Sequence, residues 1–138
     1  MSNGGEFIKN LNLNAPLPIE EIKMFEKTTG IMLPKDYTEF LMTGNGGEGF
    51  IGDNAYIILW KLNELIELNS AYNVKDYAPG LLLFGSNGGG DAYAFDMRNK
   101  PLTIIRVPFI GMDLKEVEYL SSSFNGFLEK LSKDEYDY

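Results

Sequence analysis

The stretch from Ile31 to Gly47 constrains the fold of this 138-residue chain most, because it contains a short helix with both ends marked. Pro34 suits the first position of a helix, where its missing N–H is tolerated, and Asp36 falls in the first turn, where a negative charge stabilises the helix dipole. Three apolar side chains recur at helical spacing and form one face: Tyr37, Phe40 and Leu41. The closing run Asn45–Gly47 ends the helix and permits positive φ angles. A helix that buries an aromatic face and then turns sharply suits a small α+β domain.

Patterning divides the rest of the chain into further elements. Apolar periodicity predicts helices at about residues 18–29, 35–43, 62–72 and 122–132. Apolar or alternating runs predict strands at about 48–52, 55–60, 81–84, 91–96 and 102–107. The run Ala55–Trp60 is apolar throughout, which predicts a strand buried on both faces, whereas 73–80 reads as a loop and 112–120 stays open between a short helix and a loop. The order predicts an α+β fold, with one antiparallel-rich sheet of about four to six strands flanked by about four helices.

The length predicts a single domain over residues 1–138. We expect residues 1–15 to form a loose N-terminal arm, in which Phe7 and Ile8 dock, and residues 133–138 to form a frayed acidic tail. No apolar run approaches the ~20 residues of a membrane helix. The first six residues lack the basic and apolar regions of a signal peptide. These features predict a cytoplasmic protein that does not bind a membrane.

The chain contains no cysteine and no histidine, which removes several classes of chemistry. These absences exclude disulfides, catalysis by a thiolate or by a Ser-His-Asp triad, and metals bound by cysteine or histidine. Paired carboxylates are the catalytic option that remains, but Asp and Asn at turns usually bind the local backbone instead. We therefore expect no enzyme, no catalytic or metal-binding residues, and no cofactor.

The net charge of −8, from 20 acidic and 12 basic residues, bears on the partner. The basic residues are scattered and form no stripe, so binding of DNA or RNA is not expected. An acidic chain suits a basic protein partner, because opposite electrostatic fields speed their encounter. The alternative is that the charge only keeps the protein soluble.

Two local features leave a structural and a functional interpretation open. The glycine-rich run Gly85–Gly90 could cradle a phosphate, but Asp91 follows where a phosphate loop has Gly-Lys-Ser/Thr, so a tight hairpin connection is favoured. Trp60, the single tryptophan, suits either the edge of the core or an interface anchor.

Three segments together resemble the SUKH superfamily. The run Leu33–Leu41 closing on Asn45–Gly47 resembles its signature, and Ile22–Pro34 resembles its first helix and the junction that follows. The segment Phe84–Asp96 is similar to its second glycine-rich turn between core strands. The resemblance covers residues 19 to 131. That superfamily includes yeast regulators of cell-wall synthesis and bacterial immunity proteins of polymorphic toxin systems.

The resemblance implies an immunity protein that neutralises a cognate toxin, of nuclease type, by stoichiometric binding. The expected partner-binding residues are an acidic rim around the two glycine turns together with the tryptophan: Glu48, Asp53, Trp60, Asp91 and Asp96. A regulatory or scaffold module without a toxin partner is the alternative, and a small-ligand binder is a third. The sequence indicates no oligomeric state.

Overall fold

The computed structural model describes residues 7–136. Within them, seven antiparallel strands form one sheet in which every strand pairs with its neighbours in sequence. The strands are β1 (Asn12–Leu13), β2 (Gly47–Ile51), β3 (Ala55–Leu59), β4 (Leu81–Ser86), β5 (Asp91–Asp96), β6 (Thr103–Pro108) and β7 (Glu118–Ser121). The helices are α1 (Ile19–Thr29), α2 (Lys35–Leu41), α3 (Leu65–Ala71), α4 (Val74–Tyr77) and α5 (Phe124–Ser132), with 3-10 turns at Leu62–Glu64 and Leu114–Glu116.

The predicted α+β class with one antiparallel sheet is confirmed, but the predicted number of elements is too low. The sheet has seven strands in place of four to six, and five helices replace four among the described residues. The additional elements are β1, β7 and α4. β1 has two residues and exists through its pairing with β2, and α4 is a single turn within the segment predicted as a loop. Elements this short carry no periodicity that a sequence pattern can detect.

Helices α1, α2 and α5 cover one face of the sheet and enclose the first core. Tyr37 of α2 lies at its centre, with its ring centroid 4.9 Å from that of Phe95 and 5.1 Å from that of Phe124. The carboxylate of Asp36 accepts a hydrogen bond from the backbone N–H of Asn125 at 2.9 Å, which ties the first turn of α2 to the first turn of α5. The helix predicted from the Ile31–Gly47 stretch therefore organises this side of the sheet, as expected.

The second core lies on the opposite face of β4, β5 and β6, beneath α4 and residues 109–117. Alternate residues of β4 belong to the two cores. Leu82 and Phe84 lie in the first core, and Leu81 and Leu83 lie in the second. This alternation follows from the period of two along a strand. The middle of the sheet is therefore covered on both faces.

The prediction that β3 is buried on both faces is wrong. Ile57 and Leu59 lie in the first core, but Tyr56 and Ile58 point to the other face and are only half-buried. The helix and loop that cover that face of β4–β6 do not extend over β3. A continuous apolar run therefore leaves apolar side chains on an open part of the sheet.

β3 and β4 separate soon after they meet, and this separation shapes the surface. They pair only at Ile58 with Ser86 and at Leu59 with Gly85. Farther along β4, the side-chain amide of Asn69 in α3 replaces β3 as the partner. It donates to the carbonyl of Leu83 at 2.9 Å, and its own oxygen accepts the Leu83 N–H at 2.8 Å. The segment 60–78 fills the gap between the two strands.

Both terminal segments make contacts with the rest of the fold where the structure describes them. Ile8, expected to dock, is buried, and so is Leu11, while β1 lies within the expected loose arm at 1–15. At the other end, the hydroxyl of Tyr136 donates to the carbonyl of Leu120 at 2.8 Å, so the expected frayed tail is packed at this residue. The remaining parts of both predictions, residues 1–6 and 137–138, lie outside the described residues.

Candidate protein-interaction surface

The Asn45–Gly47 run does not itself end α2, which ends at Leu41 with Met42 as its C-cap, but it holds the turn that follows β3. The side-chain oxygen of Asn45 accepts the backbone N–H of Leu62 at 2.8 Å, and its amide nitrogen donates to the side-chain oxygen of Asn63 at 3.2 Å. Gly46 has a φ of 77°, and a Cβ there would lie 2.4 Å from the carbonyl oxygen of Leu59. Only glycine allows this close approach. The run thereby positions the residues around Trp60.

Two groups of aromatic rings border the open part of the sheet, and together we call them the aromatic face. It consists of Phe50, Tyr56, Trp60, Tyr72 and Phe109. The ring of Phe50, 53% exposed, meets that of Tyr56 edge-on at 5.1 Å. The ring of Tyr72, 41% exposed, lies 6.1 Å from that of Trp60 in a parallel stack and 4.7 Å from that of Phe109.

The second glycine turn joins the two halves of this aromatic face. A Cβ on Gly88 would lie 3.1 Å from the ring of Tyr56, and the N–H of Phe109 donates to the carbonyl of Gly90 at 2.9 Å. Ile110, which follows, is 93% exposed. As predicted, the turn connects two hairpin strands, β4 and β5. Large contiguous apolar patches on a protein surface mark sites of interaction.

A groove of about 500 Å³, here called the Trp60 groove, runs beside the aromatic face. Its walls come from β1, β2, β3 and the turn after β3, and the side chains used below are Asn14, Glu48, Tyr56, Trp60, Lys61 and Glu64. The hydroxyl of Tyr56 donates a short hydrogen bond to a carboxylate oxygen of Glu48, which raises the pKa of the phenol. The groove thus combines carboxylates with aromatic rings.

The structure brings two of the five predicted partner-binding residues together, Glu48 and Trp60. Asp53 lies in the exposed turn between β2 and β3. Asp91 precedes Ala92, a residue of the second core, so strand alternation assigns its side chain to the face opposite the one that carries the groove. The expected continuous acidic rim is therefore divided between two faces of the sheet.

Asp96 lies at the other end of β5 from Asp91 and is 4% exposed. Its two carboxylate oxygens accept hydrogen bonds from the Arg98 guanidinium at 2.9 and 2.8 Å, and one of them also accepts the Arg98 backbone N–H at 3.0 Å. These hydrogen bonds hold the pKa of Asp96 below its ordinary value despite burial. Asp96 stabilises the turn between β5 and β6, far from the glycine turns.

Sequence reasoning missed several residues that belong to the surface. Glu64 and Tyr72 lie within the helix predicted at 62–72, and the sequence pattern indicates no role at a surface for either of them. The signal that pointed to the surface is the unbroken apolar run of β3, which holds more apolar residues than one covered face can bury. No sequence pattern indicates that Phe109, which follows β6, packs against Tyr72.

A second, more apolar groove of about 680 Å³ lies on the helical side of the molecule, between α1 and the segment Leu62–Ile66. Met24, Phe25, Ile31 and Ile66 are among its lining residues. Within residues 7–136, no three Asp, Glu, His or Cys side chains are grouped so that they could hold a metal ion. None of the helices over the same residues has the length and apolar character needed to cross a membrane.

The match to a family model defines the class of this protein. The model described as the SMI1 / KNR4 family (SUKH-1) matches residues 16–130, from before α1 into α5. The chain therefore belongs to the SMI1/KNR4 (SUKH-1) family, which confirms the resemblance to the SUKH superfamily. It is also similar to the uncharacterized protein YnaB of Bacillus subtilis (strain 168), with 36% identity over 75 residues. That match covers 54% of this chain and 47% of the relative, about half the length of each.

Proposed function

We propose that this protein is an immunity protein that neutralises a cognate bacterial toxin, of nuclease type, by stoichiometric binding in the cytoplasm. It acts by occupying the surface of the toxin and not by catalysis. Membership of the SUKH family supports a role in protein interaction. The single observation that carries the proposal is the aromatic face, which leaves large rings in solvent beside the carboxylate of Glu48.

The composition of this surface suits a protein partner. Tyr, Trp and Phe are enriched at the centres of protein interfaces, where they supply large contact area at a low cost in conformational entropy. The charge of −8 favours a basic partner such as a nuclease, whose own substrate is a polyanion. Of the five residues expected to bind the partner, Glu48 and Trp60 form the centre of the proposed contact, and Asp53 lies at its periphery.

Co-expression with the product of the toxin-like gene expected beside its own tests the proposal. The chain should restore growth, and the two proteins should co-purify in a fixed ratio. If growth is not restored and the toxin does not co-purify, the protein is not its immunity partner. A partner of a different kind, such as a signalling protein captured in the same ratio, would favour the regulatory or scaffold role.

Substitution on the aromatic face tests the location of the contact. Phe50→Ala should weaken binding of the toxin by about tenfold or more, the loss typical of an aromatic anchor. Met32→Ala is the matched control, because Met32 is also strongly exposed but lies beside α2 on the helical side of the sheet. Both variants should unfold at the same urea concentration as the wild type. Equal binding by the two variants would remove the aromatic face from the proposal.

A further inference from the structure

We propose that the Trp60 groove receives an arginine side chain of the protein partner. This inference rests on the proposed protein-binding function and specifies the chemistry that the partner must present. Its lining residues form two kinds of wall that suit a guanidinium group, the carboxylates Glu48 and Glu64 and the aromatic residues Tyr56 and Trp60. Each wall is held in place by contacts that are independent of any partner.

The carboxylates supply the charge. Glu48 and Glu64 both line the groove, and among residues 7–136 neither forms an ion pair. The hydrogen bond from the Tyr56 hydroxyl fixes one oxygen of Glu48, so the direction of this carboxylate is set before a ligand arrives. Lys61 lines the same groove without pairing with either acid in the described part of the chain, and its ammonium opposes a second cation.

The aromatic wall favours a guanidinium over an ammonium group. Trp60 is held by its parallel stack on Tyr72, with the ring planes 7° apart, and Tyr56 is held by its edge contact with Phe50. A guanidinium is planar and weakly hydrated, so it stacks on aromatic rings while its N–H groups reach carboxylates, whereas an ammonium is a strongly hydrated point charge. The groove therefore distinguishes arginine from lysine.

A neutral acceptor completes the groove. Asn14, which also lines the groove, donates its side-chain N–H to the backbone carbonyl of Asn45 at 3.0 Å, and its side-chain oxygen is a neutral acceptor. Guanidinium has five N–H donors and no acceptor, and an array of carboxylate and amide oxygens suits it. Calcium takes six to eight oxygen ligands, and among residues 7–136 no three acidic side chains are grouped so that they could hold a metal ion.

Trp60 is the only tryptophan of the chain, so its fluorescence reports on the groove directly. The purified chain is titrated with Nα-acetyl-arginine methylamide, with the lysine and citrulline analogues as comparison probes. We expect a saturable change in fluorescence with the arginine probe, a weaker change with lysine, and no saturable change with citrulline, which has the same shape without the charge.

Three variants test the assignment: one should weaken binding of the arginine probe, one should tighten it, and one is a control. Glu48→Gln should weaken binding of the arginine probe about two- to fivefold, the size of an exposed charge pair, and Lys61→Gln should tighten it by a similar factor. Glu39→Gln is the matched control, since it removes the same charge from an exposed position of α2 on the opposite face of the sheet. It should leave binding unchanged.

The inference is overturned if citrulline binds as well as arginine, or if Glu48→Gln behaves like Glu39→Gln. It is also overturned if Lys61→Gln fails to tighten binding. The assay uses the chain alone, so its result is separate from the test of the immunity role. Binding of the arginine probe without capture of a toxin would remove the immunity proposal alone, whereas capture of a toxin without binding of the probe would remove the arginine groove alone.

Discussion

Tyr37 carries a hydroxyl group into the centre of the first core. The residue is 1% exposed, and its hydroxyl oxygen has no hydrogen-bond partner among the described residues. Four phenylalanine rings lie around its own ring: Phe40, Phe84, Phe95 and Phe124. A buried hydroxyl without a partner costs about 1–3 kcal/mol of desolvation, which the stability of the rest of the core must offset.

Tyr37→Phe removes this penalty while keeping the ring and its packing. We expect the free energy of unfolding to rise by about 1 kcal/mol at pH 7, measured by urea denaturation. Tyr56→Phe is the control, because its hydroxyl is hydrogen-bonded at the surface to Glu48. Its loss should therefore not raise the free energy of unfolding. A loss of stability on Tyr37→Phe would mean that the hydroxyl has a stabilising contact.

The advantage of Tyr37→Phe should grow in alkali. Burial raises the pKa of Tyr37 well above its ordinary value of 10.0, so the folded state holds the proton more tightly than the unfolded state. The stability that this difference contributes is present below pH 10 and is lost as pH rises from there toward the folded pKa. The difference in unfolding free energy between the two proteins should therefore be larger at pH 11 than at pH 9.

In contrast to Tyr37→Phe, a substitution in the pair formed by Asp96 and Arg98 should lower the free energy of unfolding. Asp96→Asn removes charge-assisted hydrogen bonds from a buried carboxylate and should lower the free energy of unfolding by about 1–3 kcal/mol at pH 7. The pKa of Asp96 is lowered in the folded state, so its contribution is present above the ordinary value of 3.8 and is lost as pH falls below it. Denaturation curves of the two proteins should converge in acid, and a constant difference down to pH 2 would contradict this role.

At the scale of elements, the link between the Asn45–Gly47 run and the turn after β3 connects the fold to the surface. Residues 45–47 follow α2, whereas Trp60 and Leu62 follow β3, and the side chain of Asn45 joins the two segments. The same turn borders both grooves, because Trp60, Lys61 and Glu64 line the Trp60 groove and Leu62, Asn63 and Ile66 line the apolar one. A change at Asn45 therefore reaches the candidate surface without altering a residue on it.

Asn45→Ala tests this link. The substitution leaves the N–H of Leu62 buried without its acceptor, so we expect the free energy of unfolding to fall by about 1–3 kcal/mol and the emission of Trp60 to shift. Asn63→Ala is the control, because it removes the exposed partner of Asn45 and keeps the bond to Leu62. If the two variants lose the same free energy of unfolding, the hydrogen bond to Leu62 contributes no more to stability than the one to Asn63.

At the scale of the whole molecule, the two cores share the same strands. β4 contributes Leu82 and Phe84 to one core and Leu81 and Leu83 to the other, and β5 alternates in the same way with Tyr93 and Ala94. Trp60 packs against both cores. Because both cores are built on the same strands, unfolding of the sheet disrupts both of them.

This sharing predicts a single cooperative unfolding transition. The urea curves from Trp60 fluorescence and from far-UV circular dichroism should coincide, as they do in two-state unfolding. An earlier transition in the fluorescence alone would mean that the segment 60–78 opens while the sheet stays folded. The measurement needs no added label, because the chain has one tryptophan.

The sequence alone determined the features that depend on neighbouring residues. Pro34 directly before α2, Asp36 in its first turn and the apolar spacing that follows place this helix, although Pro34 caps it and does not occupy its first position. The glycine-rich run after β4 forms a hairpin connection. Helix ends and tight turns obey local backbone rules, so a linear pattern contains the information. The α+β class and the SUKH resemblance follow from the order of such features.

Only the tertiary structure decided which faces of the sheet are covered and which charged groups meet. β1 and β7 exist through pairing with β2 and β6. Asp91 and Asp96 stand at the two ends of the same strand, but only the structure shows that the Asp96 carboxylate pairs with Arg98. The apolar run of β3 predicted burial on both faces, but α4 and residues 109–117 stop short of it. Coverage of a strand depends on segments distant in sequence, and here that coverage ends where the aromatic face begins.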